Sequence, residues 1–168
     1  QKATPTAVTT VAYSGDTIFM GIYPHGHYYY YNTKLPWDPK QGNPKHLGQV
    51  PGQSRGFAVL PLPARKKVFF GTVPDYGQLG GALVSYDLEK QQLDAIVNII
   101  PDQSIVSLVS VNDMLIMGSS ISGGLGARPT AVEARLVGWN PDTKQKVFDI
   151  APLPGAMAIT GLMKTPDG

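Results

Sequence analysis

Three kinds of marker recur along this chain in the same order and at nearly the same interval, which restricts it to folds built from an internal repeat. A glycine closes an apolar run at Gly21, Gly71 and Gly118, 50 and 47 residues apart. An aromatic residue followed by Asp or Asn falls at Trp37-Asp38, Tyr86-Asp87 and Trp139-Asn140, 49 and 53 residues apart. A proline opens each unit at Pro5, Pro51, Pro101 and Pro154, at intervals of 46, 50 and 53. Three series in phase define a unit of about 50 residues. Its fullest copy is Lys67 to Asp87, KVFFGTVPDYGQLGGALVSYD, and Thr17 to Gly26 and Met114 to Gly124 repeat the first half.

Each unit reads as four short strands. The first follows the proline (Ala7 to Tyr13, Gly56 to Leu62, Ile105 to Val111, Ala156 to Met163). A turn then follows at Ser14-Gly15-Asp16, Pro63-Ala64-Arg65, Asn112-Asp113 and Pro166-Asp167-Gly168, residue types that tolerate hairpin dihedrals. The second strand is Ile18 to Ile22, Val68 to Val73 or Leu115 to Ser119. First and second strands are apolar on both faces, as strands of the interior are. The third ends on the aromatic pair. The fourth, as in Leu93 to Val97 and Lys146 to Ile150, mixes charge with apolar residues and predicts an outer, partly solvated strand. With 42% hydrophobic and 15% charged residues the chain is globular, and 19 Gly and 15 Pro spread along it suit many strands joined by tight turns. No window of 11 or more residues keeps a 3.6-residue apolar period.

Four antiparallel strands per unit, apolar within and polar without, is the pattern of a β-propeller blade. The chain resembles the propeller superfamily, in particular the kelch-like and quinoprotein-like repeats, most closely at WNPDTKQKVFD, Trp139 to Asp149. The resemblance implies an all-β fold: a propeller section of about three four-stranded antiparallel blades plus the first strand of a fourth. The blades span about 5–50, 51–100 and 101–153, and the fourth begins at about 154–168. Closed propellers use four to eight blades. A section of this size is expected to leave an apolar flank at each end and to associate with the remainder of the propeller, as another polypeptide or as copies of itself. The start at Gln1, without Met or a signal, reads as a mature or excised piece, secreted or from the cell envelope.

Several partners and chemistries are disfavoured. A formal net charge of +2, with no basic run beyond Arg65-Lys66-Lys67, gives no footprint for nucleic acid or an anionic membrane. No apolar run approaches the roughly 20 residues of a membrane span. Zero cysteines exclude thiol catalysis and zinc-thiolate sites. No cofactor motif is present: Gly123-Gly124-Leu125-Gly126-Ala127 lacks the Lys-Ser/Thr of a phosphate loop and reads as a flexible loop.

Chemistry is therefore sought in the loops of one face, those joining strands two and three and those entering the next unit. They carry His25, His27, Gln53, Arg55, Asp75, Tyr76, Asp102, Gln103 and Arg128. His25 and His27, two apart, could share a metal ion with a third ligand from Asp75 or Asp102. The run His27 to Tyr31 offers rings for stacking on sugars, Tyr28 among them, or for packing between blades. Asp75 and Tyr76 could pair a carboxylate with a phenol for proton transfer, with His25 beside them, although a plain turn fits the same letters. Arg55 and Arg128 could clamp a carboxylate, as an acidic sugar requires, with Gln53 and Gln103 as further ligand contacts. Trp37, Tyr86 and Trp139 read as structural because they recur. Two functions follow as expectations: a binding module recognising a glycan or a protein on the loop face, or a section of a carbohydrate-active lyase or hydrolase whose site the remaining blades complete.

Overall fold

The structure, a computed structural model, describes residues 7–165. It is all-β, and its strands form three antiparallel sheets of four, each in chain order. β1 (Val8–Ser14), β2 (Thr17–Ile22), β3 (His27–Asn32) and β4 (Lys45–Gln49) make the first. β5 (Gln53–Leu62), β6 (Lys67–Pro74), β7 (Ala82–Asp87) and β8 (Gln92–Val97) make the second. β9 (Ser104–Val111), β10 (Met114–Ser120), β11 (Leu136–Asn140) and β12 (Gln145–Ile150) make the third. Helix among the described residues is confined to single 3-10 turns at Pro39–Gln41 and Pro63–Arg65.

The sheets stack face to face with the second in the middle. Strand alternation sends Val68 and Phe70 of β6 against Phe19, Tyr28 and Leu47 of the first sheet. It sends Phe69 against Leu115, Met117 and Trp139 of the third. A strand covered on both faces must be apolar at every position, which is why VFF reads as an unbroken run. The outer strands β8 and β12 are largely exposed, as their mixed composition predicts. β1 departs from expectation: Val8, Val11 and Tyr13 are exposed, because β5 packs on one side of it and no described sheet covers the other.

The repeat glycines are sites of close approach between sheets. A Cβ on Gly21 would lie 3.1 Å from Gly56 Cα, one on Gly71 2.7 Å from the Ile105 carbonyl oxygen, and one on Gly118 2.6 Å from that of Ile159. In each case the neighbour belongs to the first strand, or its counterpart, of the following unit. The segment Ala156 to Met163, expected as a strand, forms none, since among the described residues it has no partner strand of its own. It is held to the third sheet by an isolated bridge, Ser120 to Ala158, and by the Ile159 amide donating to the Ser119 carbonyl. Pro5 and the turn Pro166-Asp167-Gly168 lie outside the described residues.

One marker is corrected. Register places Ile18 opposite Tyr31, Val68 opposite Tyr86 and Leu115 opposite Trp139, each three residues before its repeat glycine. The counterpart of Tyr86-Asp87 and Trp139-Asn140 is thus Tyr31-Asn32, not Trp37-Asp38. Exposure agrees: Tyr86 is 2% and Trp139 7% exposed, Trp37 48%. The second residue of the pair caps the following turn, as Asn32, Asp87 and Asn140 Oδ1 each accept from the amide two residues on.

The outward face of the first sheet is partly open, with Val11 and Tyr13 exposed beside their ladder partners Met20 and Ile18. On the far face of the first sheet Met20, Ile22 and Tyr29 are buried. On the third, the Phe148 ring lies over Gly138, and Arg135 pairs with Asp149 at 2.7 Å.

Candidate functional site

The connections β2–β3, β6–β7 and β10–β11 emerge at one end of the three sheets, with the entries to β5 and β9. There two of the three glycines of the run after β10, Gly123 and Gly124, are packing elements, while nothing lies within 4 Å of a Cβ on Gly126. A Cβ on Gly124 would stand 1.8 Å from the Asp75 carbonyl oxygen, and one on Gly123 2.4 Å from that of Gln78. The amides of Gly77 and Gly124 donate to the carbonyls of Leu125 and Gln78, tying the second unit's loop to the third's.

Two cavities open on this end. The larger, about 300 Å³, has Arg55, Phe57, Val106, Ser120 and Leu125 among its walls. The smaller, about 260 Å³, is formed by Tyr23, Pro24, His25 and Asp75. Ser54 and Tyr76 belong to both. The Tyr76 and Tyr23 hydroxyls lie 2.7 Å apart, so the two rings bridge the cavities. That hydrogen bond is the main reason the Tyr23 phenol is raised above its ordinary pKa, with Arg55 acting in the opposite direction. The Arg55 guanidinium carbon sits 4.7 Å from the Tyr23 ring centroid, a cation–π contact. β5 has a register irregularity between Gln53 and Arg55, the device by which a strand re-aims a side chain.

The candidates named from sequence divide into three groups. Arg55, Asp75, Tyr76 and His25 come together around the cavities. His25, at φ 68°, and Gly26, at φ 57°, form the left-handed tip of the β2–β3 hairpin. Tyr76 bonds to Tyr23 and not to Asp75, so the carboxylate–phenol pair is not assembled.

A second group is committed to the frame. Gln53 is buried; its Oε1 accepts from Thr72 at 2.5 Å, and Thr72 in turn accepts from the Ala82 amide. Gln103 repeats this in the third sheet: its Oε1 accepts from Ser119 at 2.5 Å, and Ser119 accepts from the Arg135 amide. These amides bridge strands and do not face the cavities. Tyr28 is fully buried with its ring 4.6 Å from that of Phe70, out of reach of any sugar. Its hydroxyl has no hydrogen-bond partner, and burial raises its pKa far above the ordinary value.

The third group stands apart. His27 turns to His46, Nδ1 to Nε2 3.1 Å, with burial and then His25 lowering its pKa. Among the described residues no three of His, Asp and Glu converge to hold a metal ion. Arg128 is exposed on the β10–β11 connection and lines neither cavity. Asp102 accepts from the Thr130 hydroxyl at 2.8 Å.

Tyr23 and Ser120 were not singled out by sequence reasoning. The signal available for both is position: each stands two residues past a repeat glycine. No protein-family model matches the chain, and no curated protein matches it. Among the described residues no helix is long and apolar enough to cross a membrane.

Proposed function

We propose that the three sheets are consecutive blades of a β-propeller and that the chain is a binding module, holding a ligand, a glycan or a protein segment, on its loop end. The blade reading is supported by the common strand order of the sheets and the glycine contacts between successive units. Ile159 also takes beside Gly118 the place that Ile105 takes beside Gly71. Further sheets, from another polypeptide or a second copy, complete the ring.

The observation that carries the binding reading is the pair of cavities meeting at Ser54 and Tyr76 on the end where the loops collect. Concave sites with an apolar wall and a few polar groups are where ligands bind. Tyr76 is 54% exposed and supports no core, so its loss separates binding from folding. A glycan and peptide array probed with the wild-type chain and with Tyr76→Ala tests this. A ligand is expected whose affinity falls about tenfold in the variant, the scale of losing an aromatic contact, while the melting temperature stays unchanged. Hits that bind the variant equally well refute the loop-end site.

A further inference from the structure

We infer that the larger cavity takes an anionic sugar ring, its carboxylate held by the Arg55 guanidinium; this rests on the loop-end binding reading above. Three arginines are half-buried: Arg55, Arg65 and Arg135. Arg65 pairs with Asp113 and Asp142, and Arg135 with Asp149. Arg55 alone of these has no carboxylate within ion-pair distance among the described residues. Its Nε is sealed from solvent and hydrogen-bonded to nothing, with the guanidinium held against the Tyr23 ring. A cation placed this way in a cavity wall, with no counter-charge from the described residues, is matched by an acceptor brought from outside. A planar guanidinium fits a carboxylate in bidentate fashion and fits a lone hydroxyl poorly.

The rest of the cavity identifies the body that carries the carboxylate. Phe57 and Tyr76 present exposed ring surface, 45% and 54% of each residue, suited to the C–H face of a pyranose. Ser120 and Ser122 line the same cavity and offer hydroxyls to hydroxyls. Asp75 lines only the smaller cavity, so its negative charge keeps the carboxylate end on the Arg55 side. A second ring would extend across the Tyr23–Tyr76 bridge.

The test is calorimetric titration of wild type, Arg55→Gln and Arg55→Lys with glucuronate, glucose and benzoate, with a melting curve for each protein. Amide shifts are followed during the glucuronate titration. Glucuronate is expected to bind wild type about tenfold or more tightly than glucose, the scale of a charge-assisted contact. Arg55→Gln abolishes that preference; Arg55→Lys keeps part of it and serves if the glutamine variant does not fold. Benzoate binds more weakly than glucuronate, having no hydroxyls for the serines. The shifts centre on Tyr76 and Gly124. Equal binding of glucuronate and glucose, mapped to Tyr76, overturns the anion assignment and leaves the loop-end site standing. A preference that survives Arg55→Gln, shifts centred on Arg128, benzoate matching glucuronate, or no binding by glucuronate each overturns the inference. The loop-end reading falls with it only if the array above is also empty.

Discussion

Gly71→Ala tests whether the repeat glycines are there to let successive sheets touch. The added Cβ would stand 2.5 Å from Ile105 Cγ2 and 2.7 Å from the Ile105 carbonyl oxygen, well inside the ~3.5–4.0 Å of a comfortable carbon contact. Neither atom can swing away. Ile105 is fully buried between the second and third sheets, and its backbone is held by the β9–β10 ladder. Relief requires the third sheet to draw back, and overpacking of this kind costs about 1–3 kcal/mol. The upper end applies because one of the clashing atoms is backbone. Alanine regains roughly 0.5–1 kcal/mol over glycine in strand entropy, leaving a net loss of about 2 kcal/mol. At about 2–4 °C per kcal/mol for a chain of this size, the melting temperature falls by roughly 4–8 °C. Gly161 is the control: nothing lies within 4 Å of its Cβ position, so Gly161→Ala stays within about 0.5 kcal/mol of wild type. Gly21→Ala falls between them, since its nearest atom is the Thr10 methyl at 2.8 Å, the end of a side chain. Urea unfolding followed by Trp139 fluorescence reads this interface directly, because that ring belongs to the core between the second and third sheets. Gly71→Ala and Gly161→Ala of equal stability would refute the close-approach account of the repeat.

Two further substitutions address buried polar groups. Tyr28→Phe removes a hydroxyl that has no partner, so stability rises by up to about 1 kcal/mol in urea unfolding; a loss of that size means the hydroxyl is bonded. His27 has its pKa lowered by burial and then by His25, so the unfolded chain binds the proton more readily than the folded one. Its contribution to stability is therefore complete above the ordinary value of 6.5 and is lost as pH falls from there toward the folded pKa. His27→Gln should flatten the melting temperature between pH 7.5 and 5.5, and an unchanged slope shows that the drop comes from other groups.

The strands, their hairpins and the stacking of the sheets were legible because local pattern sets them: an unbroken apolar run for a strand covered on both faces, a polar–apolar mixture for an edge. What letters could not settle was which partner each polar residue finds. Gln53 and Gln103 read as ligand contacts, yet their acceptors are occupied by Thr72 and Ser119, 19 and 16 residues away across a ladder. Trp37 copied the aromatic marker in type, while register gave that role to Tyr31, hidden within a run of four tyrosines that offers no contrast. Tyr23 escaped because its hydroxyl partner, Tyr76, is 53 residues distant.

The repeat itself nevertheless separates frame from site once positions are compared between units. The Gln–hydroxyl bridge and the repeat glycine keep their chemistry from the second sheet to the third, because each sheet must solve the same packing problem. Two residues past the glycines stand Tyr23, Val73 and Ser120, three unrelated side chains, and all three line the loop-end cavities. Opposite Val73 in the ladder the second unit has Arg55, where opposite Ser120 the third has Ser104, whose hydroxyl donates to the Ser122 carbonyl. A cation at a place where the neighbouring unit has a small, hydrogen-bonded serine does nothing for stacking the sheets. That no carboxylate of the described residues lies within ion-pair distance of it gives the physical reason to look there for a ligand.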